Sequence, residues 1–304
     1  MELCKDMLGK KGPNLFVAND WQDYQVIDTG GGEKLERWGD IILRRPDPLA
    51  IWPIQDRQGL WKQAAARYHR SPAGGGHWEY TRKLPERWSI RYDELKFHVR
   101  PTGFKHTGLF PEQAVNWRWI MDKIRGANRP IRVLNLFAYT GGATLAAAAG
   151  GAVEVVHVDA AKGMVQWAKE NVELSGLQDR TIRFITDDVL KFVQREQRRG
   201  RKYEAIIMDP PSYGRGPKGE TWKLEDDLYP FVEQCMEILA PNPLFVLINS
   251  YTTMISPSVL RNVMTLTLKR RLGGTITTGE IGLPVTASGL VLPAGILGRW
   301  EEQA

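Results

Sequence analysis

Residues 131–145, IRVLNLFAYTGGATL, constrain the fold of this chain more than any other stretch. Alternating branched apolar residues lead into aromatic and small residues, then into a glycine pair and an alanine-rich run. This order is typical of a strand, a tight loop and a helix. Gly141 and Gly142 allow positive φ values and the close approach of a ligand, because neither has a Cβ. Glycine pairs also end strands in many α/β proteins, so the loop alone leaves a purely structural role open.

The alternation of strand and helix continues to the end of the chain. Predicted strands occupy 131–136, 153–158, 181–186, 203–208 and 243–249, with two late strands near 274–280 and 291–299. Predicted helices occupy 142–150, 161–175, 188–198, 224–240 and 257–269. Such alternation favours a parallel sheet with helices on both faces. Ligands of these sheets bind at the carboxyl ends of the strands, near the point where the strand order reverses.

The second strand of the series ends in Asp159, a position from which a carboxylate can hold both hydroxyls of a ribose. Hydrogen bonds to a charged acceptor contribute about 1.5–3 kcal/mol. The dinucleotide fingerprint is absent, because Tyr139 and Thr140 stand where close approach of a pyrophosphate requires glycine. The predicted ligand is therefore a nucleoside without phosphates, such as S-adenosylmethionine.

The fourth strand runs into Asp209, Pro210 and Pro211. Two prolines fix φ and remove two N–H donors, so this turn offers only acceptors beside the Asp209 carboxylate. An acceptor-only turn suits an amino group or the edge of a base.

Five motifs in this order resemble those of class I S-adenosylmethionine-dependent methyltransferases. The closest resemblance is to the bacterial enzymes that modify cytosine C5 or guanine N7 in 23S ribosomal RNA. The motifs lie at 107–113, 135–142, 158–159, 187–188 and 209–215. The resemblance covers about residues 90 to 304. It implies a Rossmann-like seven-stranded α/β sheet with helices on both faces, S-adenosylmethionine as cofactor, and a methyltransferase domain at residues 106–304.

The resemblance also implies a set of cofactor-binding residues. They are Gln113, Asn135, Phe137, Ala138, Tyr139, Thr140, Gly141, Gly142, Asp159, Asp188 and Asp209. Asp188 is favoured over Asp187 as acceptor from the adenine amino group, with a helix N-cap as the equally weighted alternative. Glu112 replaces the usual Asp of the first motif, and Ala114 stands where Arg is expected, so another residue such as Arg118 would have to supply that cation.

Methyl transfer from a sulfonium is a direct displacement that mainly requires alignment of the reacting atoms. Carbon-5 of a pyrimidine instead needs a cysteine adduct, and the cytosine-5 members place that cysteine after the fifth strand. Here this position carries Asn249 and Ser250, while Cys235 lies in a predicted helix and Cys4 in the N-terminal tail. The predicted reaction is methylation of a base nitrogen in RNA, ribosomal RNA foremost, with oxygen less favoured. A small molecule or a protein side chain is the alternative substrate.

Four residues are predicted to act on the acceptor. Asp209, the Pro210 carbonyl and Asn249 would orient it, and Tyr213 would stack on it. Loop 214–219 carries Arg215 and Lys218, which are predicted to meet a phosphate of the substrate. A solvated lid is the alternative role of this loop.

Residues 1–105 are predicted to form a small β-rich, Trp-rich domain. Its predicted strands are 41–43, 50–52, 88–92 and 95–99, and 58–76 is predicted to be a loop. Six tryptophans could stack on unpaired bases. The favoured role is packing, either in the core of this small domain or at its interface with the second domain. They are Trp21, Trp38, Trp52, Trp61, Trp78 and Trp88.

The composition of this 304-residue chain limits the classes of molecule that it is expected to bind. A formal net charge of +6 favours an anionic partner, with RNA the first choice. Two cysteines and five histidines show no metal-ligand spacing, so no metal is expected. No apolar run approaches membrane-spanning length, which predicts no membrane partner and a cytoplasmic location. Monomer and homodimer both stay open.

Overall fold

The computed structural model describes residues 14–56, 59–71, 75–215, 221–251 and 254–303. Its larger sheet has eight strands. In spatial order these are β1 (Asn14–Val17), β16 (Thr275–Pro284), β17 (Val291–Glu301), β15 (Phe245–Ser250), β12 (Ala205–Met208), β9 (Arg132–Leu136), β10 (Glu154–Asp159) and β11 (Ile182–Thr186). All neighbours are parallel except β17, which runs antiparallel to both β15 and β16. The predicted seven-stranded sheet is confirmed, and β1 adds an eighth strand at its edge.

Helices cover both faces of this sheet, as predicted. They are α1 (Ala114–Gly126), α2 (Gly142–Ala149), α3 (Lys162–Leu174), α4 (Val189–Arg198), α5 (Leu224–Met236), α6 (Pro257–Met264) and α7 (Arg270–Leu272), with a π-helical turn at Thr265–Lys269. Val133 and Leu134 of β9 belong to two different hydrophobic clusters, because successive strand residues point to opposite faces. One cluster includes α1 and α2, and the other includes α4, α5 and α6.

The N-terminal part of the chain, which we call the front part, contains a five-stranded sheet and a separate hairpin. The sheet comprises β2 (Tyr24–Gly30), β3 (Glu33–Trp38), β4 (Ile41–Pro46), β5 (Ala66–Arg70) and β6 (Gly76–Tyr80), and the hairpin β7 (Trp88–Tyr92) and β8 (Leu95–Val99). The hairpin and the strand at 41–43 are confirmed.

Two expectations for this front part are wrong. Segment 50–52 is not a strand; its Ala50 and Trp52 carbonyls instead accept hydrogen bonds from Gly32 and Gly31 of the β2–β3 turn at 2.8 and 2.7 Å. The predicted loop at 58–76 contains β5, which pairs with β4 and β6. Strands β1 to β3 were not foreseen at all, because the first 40 residues show no clear period.

The tryptophans of the front part fill its interior. Trp38 is fully buried, and Trp21, Trp52, Trp78 and Trp88 pack against the cluster that also contains α1 and α2. Trp61 belongs to a small cluster of its own. The structure therefore supports the packing role rather than the base-stacking role. A domain boundary at residue 105 stays a prediction, since one hydrophobic cluster contains residues from both sides of it.

No helix in the described part of the chain is long and apolar enough to cross a membrane.

Candidate active site

A cavity of about 400 Å³ lies at the carboxyl ends of the central parallel strands. Its volume is within the range of small-molecule sites. The lining includes His106, Phe110, Phe137, Tyr139, Asp159, Asp188, Val189, Asp209, Pro210, Pro211, Trp222 and Tyr251. The acidic tips of β10, β11 and β12 thus meet in one place, as the sequence predicted.

A second, inner cavity of about 40 Å³ adjoins the first. Both share Phe110, Phe137, Tyr139 and Asp209 as lining residues. The inner cavity is further lined by Gln113, Asn116, Trp117, Asn135, Ala138, Thr140, Gly142 and Asn249. One elongated ligand can therefore occupy both cavities.

The loop after β9 has an unusual backbone. Phe137, Tyr139 and Gly141 have φ values of 56°, 50° and 90°. Left-handed conformations of non-glycine residues cost on the order of 1–3 kcal/mol each and cluster at ligand-binding sites. The loop is held by hydrogen bonds from the Ala138 N–H to the Val158 carbonyl at 3.1 Å and from the Tyr139 N–H to Asp159. No sequence pattern predicts positive φ values at the two aromatic residues.

The two glycines of the loop have different roles. Gly141 has one of the positive φ values that glycine allows, whereas Gly142 does not. A Cβ on Gly142 would lie 2.7 to 2.9 Å from the Trp117 indole. Gly142 therefore allows α1 to pack closely on α2, while also lining the inner cavity.

Two other predicted cofactor residues hold the loop from inside. The Thr140 hydroxyl donates to the Gly108 carbonyl at 2.6 Å, and the Asn135 amide donates to the Thr144 hydroxyl at 2.9 Å. Both side chains are buried.

Asp159 organises the larger cavity. Its Oδ2 accepts from the Tyr139 N–H and its Oδ1 from the Ala161 N–H, both at 2.8 Å. Burial raises the pKa of this carboxyl, and the two backbone bonds oppose that effect. Each oxygen still has acceptor capacity, since a carboxylate oxygen has two lone pairs. A vicinal diol could therefore bind here.

Asp188 has the predicted capping role and also lies at the cavity, while its contact with adenine stays a prediction. Its Oδ1 accepts from the Lys191 N–H at 2.9 Å and so caps α4, and the residue also lines the larger cavity. Asp187 forms an ion pair with Arg195, and its Oδ1 accepts from the Asp188 N–H.

Asp209 is the most perturbed carboxyl of the site. Its Oδ1 is buried and has no hydrogen-bond partner in the described part of the chain. Burial raises the pKa of Asp209 to about 7, and the charge of Glu112 adds to this effect. An unpartnered buried carboxylate oxygen is costly. It would be stabilised by a ligand that brings a positive charge or an N–H group.

The two prolines after Asp209 are not equivalent. The Pro211 carbonyl accepts from the Trp222 indole at 2.7 Å. For the Pro210 carbonyl, no donor lies among the described residues. The Pro210 carbonyl therefore has its full acceptor capacity available for a ligand.

Aromatic rings form the walls. The Phe110 ring lies 5.4 Å from His106, 5.4 Å from Tyr139 and 5.3 Å from Tyr251, between ring centroids. Burial, followed by the charge of Arg45, lowers the pKa of His106 to about 4, so this imidazole is neutral at pH 7. Flat apolar walls of this kind can stack on planar rings.

Sequence reasoning missed six residues of the site. They are His106, Phe110, Asn116, Trp222, Tyr251 and Arg299. Phe110 lies inside a recognised motif, and Asn116 follows Gln113 at helical spacing, so these two could have been found. The other four had no local signal.

Several predicted site residues are not among the described residues that line the larger cavity. Asn249 lines only the inner one. Tyr213 belongs to β13 (Tyr213–Arg215), which pairs with β14 (Thr221–Lys223), and its side chain is half exposed outside the cavity lining. Arg215 ends β13, and Lys218 lies outside the described residues. Arg118 pairs with Asp20 at 2.7 Å and lines neither cavity.

Comparison with known proteins decides the family. Residues 49–265 match the family model described as S-adenosylmethionine-dependent methyltransferase. The chain belongs to this family. The structure of a methyltransferase from Agrobacterium tumefaciens matches this methyltransferase with a TM-score of 0.91 and 39% identity, over 96% of this chain and 95% of that chain.

Two curated relatives add detail. Ribosomal RNA large subunit methyltransferase K/L of Shewanella frigidimarina is 36% identical over 239 residues, covering 76% of this chain but 32% of the relative. Ribosomal RNA large subunit methyltransferase K of Neisseria meningitidis is 28% identical over 251 residues, covering 79% and 67%. The methyltransferase thus spans about a third of the length of the first relative.

The site fits the cofactor of the family. No lysine or arginine is among the described residues that line the two cavities, which agrees with a ligand lacking phosphates. Asp159 suits the ribose, Asp188 the adenine edge, and the Asp209 Oδ1 suits a positive charge. S-adenosylmethionine is the cofactor of this methyltransferase.

Proposed function

We propose that this methyltransferase methylates a nitrogen atom of a base in RNA, with large-subunit ribosomal RNA as the first candidate. The names of the two curated relatives state that kind of RNA as their substrate. A net charge of +6 favours a polyanion.

Cations beside the cavity also favour an anionic substrate. The charges of Arg45, Lys105, Lys34 and Arg70 all act on His106, which lines the larger cavity. Arg45 and Lys34 form ion pairs with Glu36. Lys105 has no ion pair within the described residues, and burial with its cationic neighbours lowers its pKa to about 8. A phosphate near Lys105 would relieve this repulsion.

The main support for nitrogen as the methylated atom is the turn at Asp209, which offers only hydrogen-bond acceptors. The Asp209 Oδ1 has no partner in the described chain, and the Pro210 carbonyl has none there either. Two acceptors at the junction of the cavities can hold the N–H groups of a base, so that a nitrogen lone pair points toward the transferred methyl group. Asn249 lies deeper, in the inner cavity, and we assign it to the cofactor.

Cysteine chemistry has no support at this site. Cys235 is the one free cysteine within the described residues, and it is buried in α5 away from both cavities. Burial raises the pKa of its thiol. A thiolate nucleophile for carbon-5 methylation is therefore lacking in the described part of the chain.

The residues act by positioning and by accepting a proton. S-adenosylmethionine, when bound, supplies an electrophilic methyl group on its sulfonium. Asp209 and Pro210 would hold the acceptor nitrogen in line with that methyl group. If the acceptor carries a proton, the Asp209 carboxylate takes it, since a pKa of about 7 suits proton acceptance near neutral pH. Tyr213 stacks on the base at the mouth of the cavity.

The test is transfer of labelled methyl groups into fractions of an extract from cells that lack the enzyme. Total RNA, 50S subunits, protein and small molecules are separated, and labelled RNA is digested for nucleoside mass spectrometry. We expect an N-methylated nucleoside from 50S RNA. Label confined to protein or small molecules would replace RNA by the alternative substrate class, and 5-methylcytosine would refute the nitrogen assignment.

Variants connect the activity to the site. Asp209→Asn should lower transfer about 100-fold or more while S-adenosylhomocysteine still binds within a few-fold, and Asp122→Asn on the exposed face of α1 should change neither. Lys105→Gln should reduce the salt dependence of RNA binding by about one in the slope of log K against log salt, whereas exposed Lys269→Gln should not. An Asp209→Asn enzyme with near wild-type turnover would remove Asp209 from the mechanism.

A further inference from the structure

A chain of buried polar side chains connects β17 to the inner cavity. Arg299 donates to the Asn116 Oδ1 through Nη2 at 2.7 Å and through Nε at 3.1 Å. The Asn116 Nδ2 in turn donates to the Asn249 Oδ1 at 2.9 Å and to the Gln113 Oε1 at 2.8 Å. All four side chains are buried. We call Arg299, Asn116, Asn249 and Gln113 the amide relay.

The direction of every bond in the amide relay follows from the arginine. A guanidinium can only donate, so the Asn116 atom that faces Arg299 must be its oxygen. The Asn116 NH₂ group must then face inward, and its two protons are both used by Asn249 and Gln113. These two residues are left with their own NH₂ groups for other partners.

The remaining donors belong to residues of the inner cavity. Asn249 and Gln113 both line it. Gln113 Nε2 donates one proton to the Tyr251 hydroxyl at 2.5 Å, which leaves a second proton. For Asn249 Nδ2, no acceptor lies in the described part of the chain. The inner cavity thus offers N–H groups in addition to the Asp209 carboxylate that lines both cavities, whereas Asp159 lines only the larger one.

Arg299 is held firmly in its place. Its guanidinium lies 4.7 Å from the Trp119 ring and 5.0 Å from the Phe16 ring, and it also donates to the Val115 carbonyl at 2.9 Å. Cation–π contacts of this kind stabilise a partly desolvated guanidinium. Burial lowers the pKa of Arg299 to about 10, so it stays charged at neutral pH.

We propose that Arg299 is a positioning residue that sets the polarity of Asn116, so that Asn249 and Gln113 turn N–H donors toward the carboxylate of the cofactor's methionine half. A carboxylate is an acceptor only. With no lysine or arginine among the described residues lining either cavity, neutral amides are the donors at hand. This inference rests on the cofactor and not on the RNA substrate.

The test compares two ligands that differ at one end. S-adenosylhomocysteine carries the amino-acid group, and 5′-methylthioadenosine has the same nucleoside and a thioether without it. Their affinities are measured by calorimetry, with no RNA and no methyl transfer. A failure here would therefore leave the proposed substrate untouched, and an inactive enzyme on RNA would leave this comparison intact.

Asn116→Asp is the sharpest variant. It keeps the side-chain shape and the contact with Arg299, but it replaces the inward NH₂ group by an acceptor. Asn249 and Gln113 must then turn their N–H groups toward the new carboxylate and their oxygens toward the cavity. We expect the affinity for S-adenosylhomocysteine to fall about 10- to 100-fold, while that for methylthioadenosine stays within about 2-fold. Asn262→Asp on the exposed face of α6 is the matched control and should change neither.

Arg299 itself is tested in the same way. Arg299→Met removes the group that sets the polarity and should lower the affinity for S-adenosylhomocysteine selectively, about 10-fold. Arg299→Lys keeps a cationic donor and should recover part of that loss. Arg261→Met is the control, because Arg261 donates to the Ile276 carbonyl outside the site. If Asn116→Asp does not fold, as judged by circular dichroism, the proposal is judged on Arg299→Lys. The quantity measured is then the ratio of its affinities for S-adenosylhomocysteine and methylthioadenosine. Equal losses for both ligands, or no loss for either, would overturn the proposal.

Discussion

Asp209→Asn should make the ligand-free methyltransferase more stable at alkaline pH although it should strongly lower activity. Burial and the charge of Glu112 raise the pKa of Asp209 to about 7 in the folded protein. The unfolded chain has an ordinary Asp pKa of about 3.9. Between these values the folded state holds a proton that the unfolded state has lost, so the free energy of unfolding falls as pH rises through this window. Above pH 7 the destabilisation is complete.

The size of the effect follows from the two pKa values. The difference between about 7 and about 3.9 corresponds to about 4 kcal/mol at most. Solvent in the open cavity screens part of this effect. We therefore expect the free energy of unfolding of Asp209→Asn at pH 8.5 to exceed that of the wild type by about 2 kcal/mol or more. At pH 4 the two proteins should differ by less than about 1 kcal/mol, because the wild-type carboxyl is then neutral in the folded state.

Urea unfolding followed by tryptophan fluorescence at pH 4, 6, 7 and 8.5 measures this difference. Asp122→Asn on the surface of α1 is the control and should show no pH-dependent gain. The reasoning is refuted if Asp209→Asn is less stable than the wild type at pH 8.5. If Asp209→Asn were more stable than the wild type by the same amount at pH 4 and pH 8.5, titration of Asp209 could not be the cause of the gain.

Five further substitutions at four positions test the contacts around the site. Gly142→Ala should cost about 1–3 kcal/mol in urea unfolding, because its Cβ would lie 2.7 Å from the Trp117 indole; Trp117→Phe in the same protein should recover part of the loss. Trp222→Phe removes the 2.7 Å hydrogen bond to the Pro211 carbonyl and should slow methyl transfer about 10-fold with little change in cofactor affinity, measured by steady-state kinetics and calorimetry. Asp188→Ala should lower stability by about 1 kcal/mol through loss of the α4 cap and also weaken cofactor binding, whereas Asp188→Ser should restore the cap alone.

The part of the larger sheet from β9 onward could be predicted from the sequence, whereas its edge strand β1 could not. β10 ends in Asp159, and β11 and β12 are followed directly by Asp187 and Asp209, so each of these mainly apolar strands leads into an acidic residue. Asp159, Asp188 and Asp209 could therefore be placed at one edge before any coordinates were known. Their common location follows from the parallel direction of the strands alone.

Features that depend on distant parts of the chain could not be predicted. The Arg299 guanidinium meets Asn116 across 183 residues, and no local pattern announces such a contact. The front sheet was only partly anticipated for the same reason, since β4 and β5 pair across a long connection. The packing role of Gly142 could not be predicted either, because the sequence does not show that the Trp117 ring occupies the space of its missing side chain.

That last contact connects the two halves of the site. Gly142 begins α2 directly after the cofactor loop, and Trp117 follows Asn116 on α1. The absence of a side chain at Gly142 sets how closely α1 approaches α2, and α1 carries the centre of the amide relay. A shift of α1 would therefore move the donors of Asn249 and Gln113 relative to the strained loop at Phe137 and Tyr139. A ligand that spans both cavities would contact both the amide relay and this loop. Its binding therefore depends on the spacing of α1 and α2, which the buried Trp117–Gly142 contact sets.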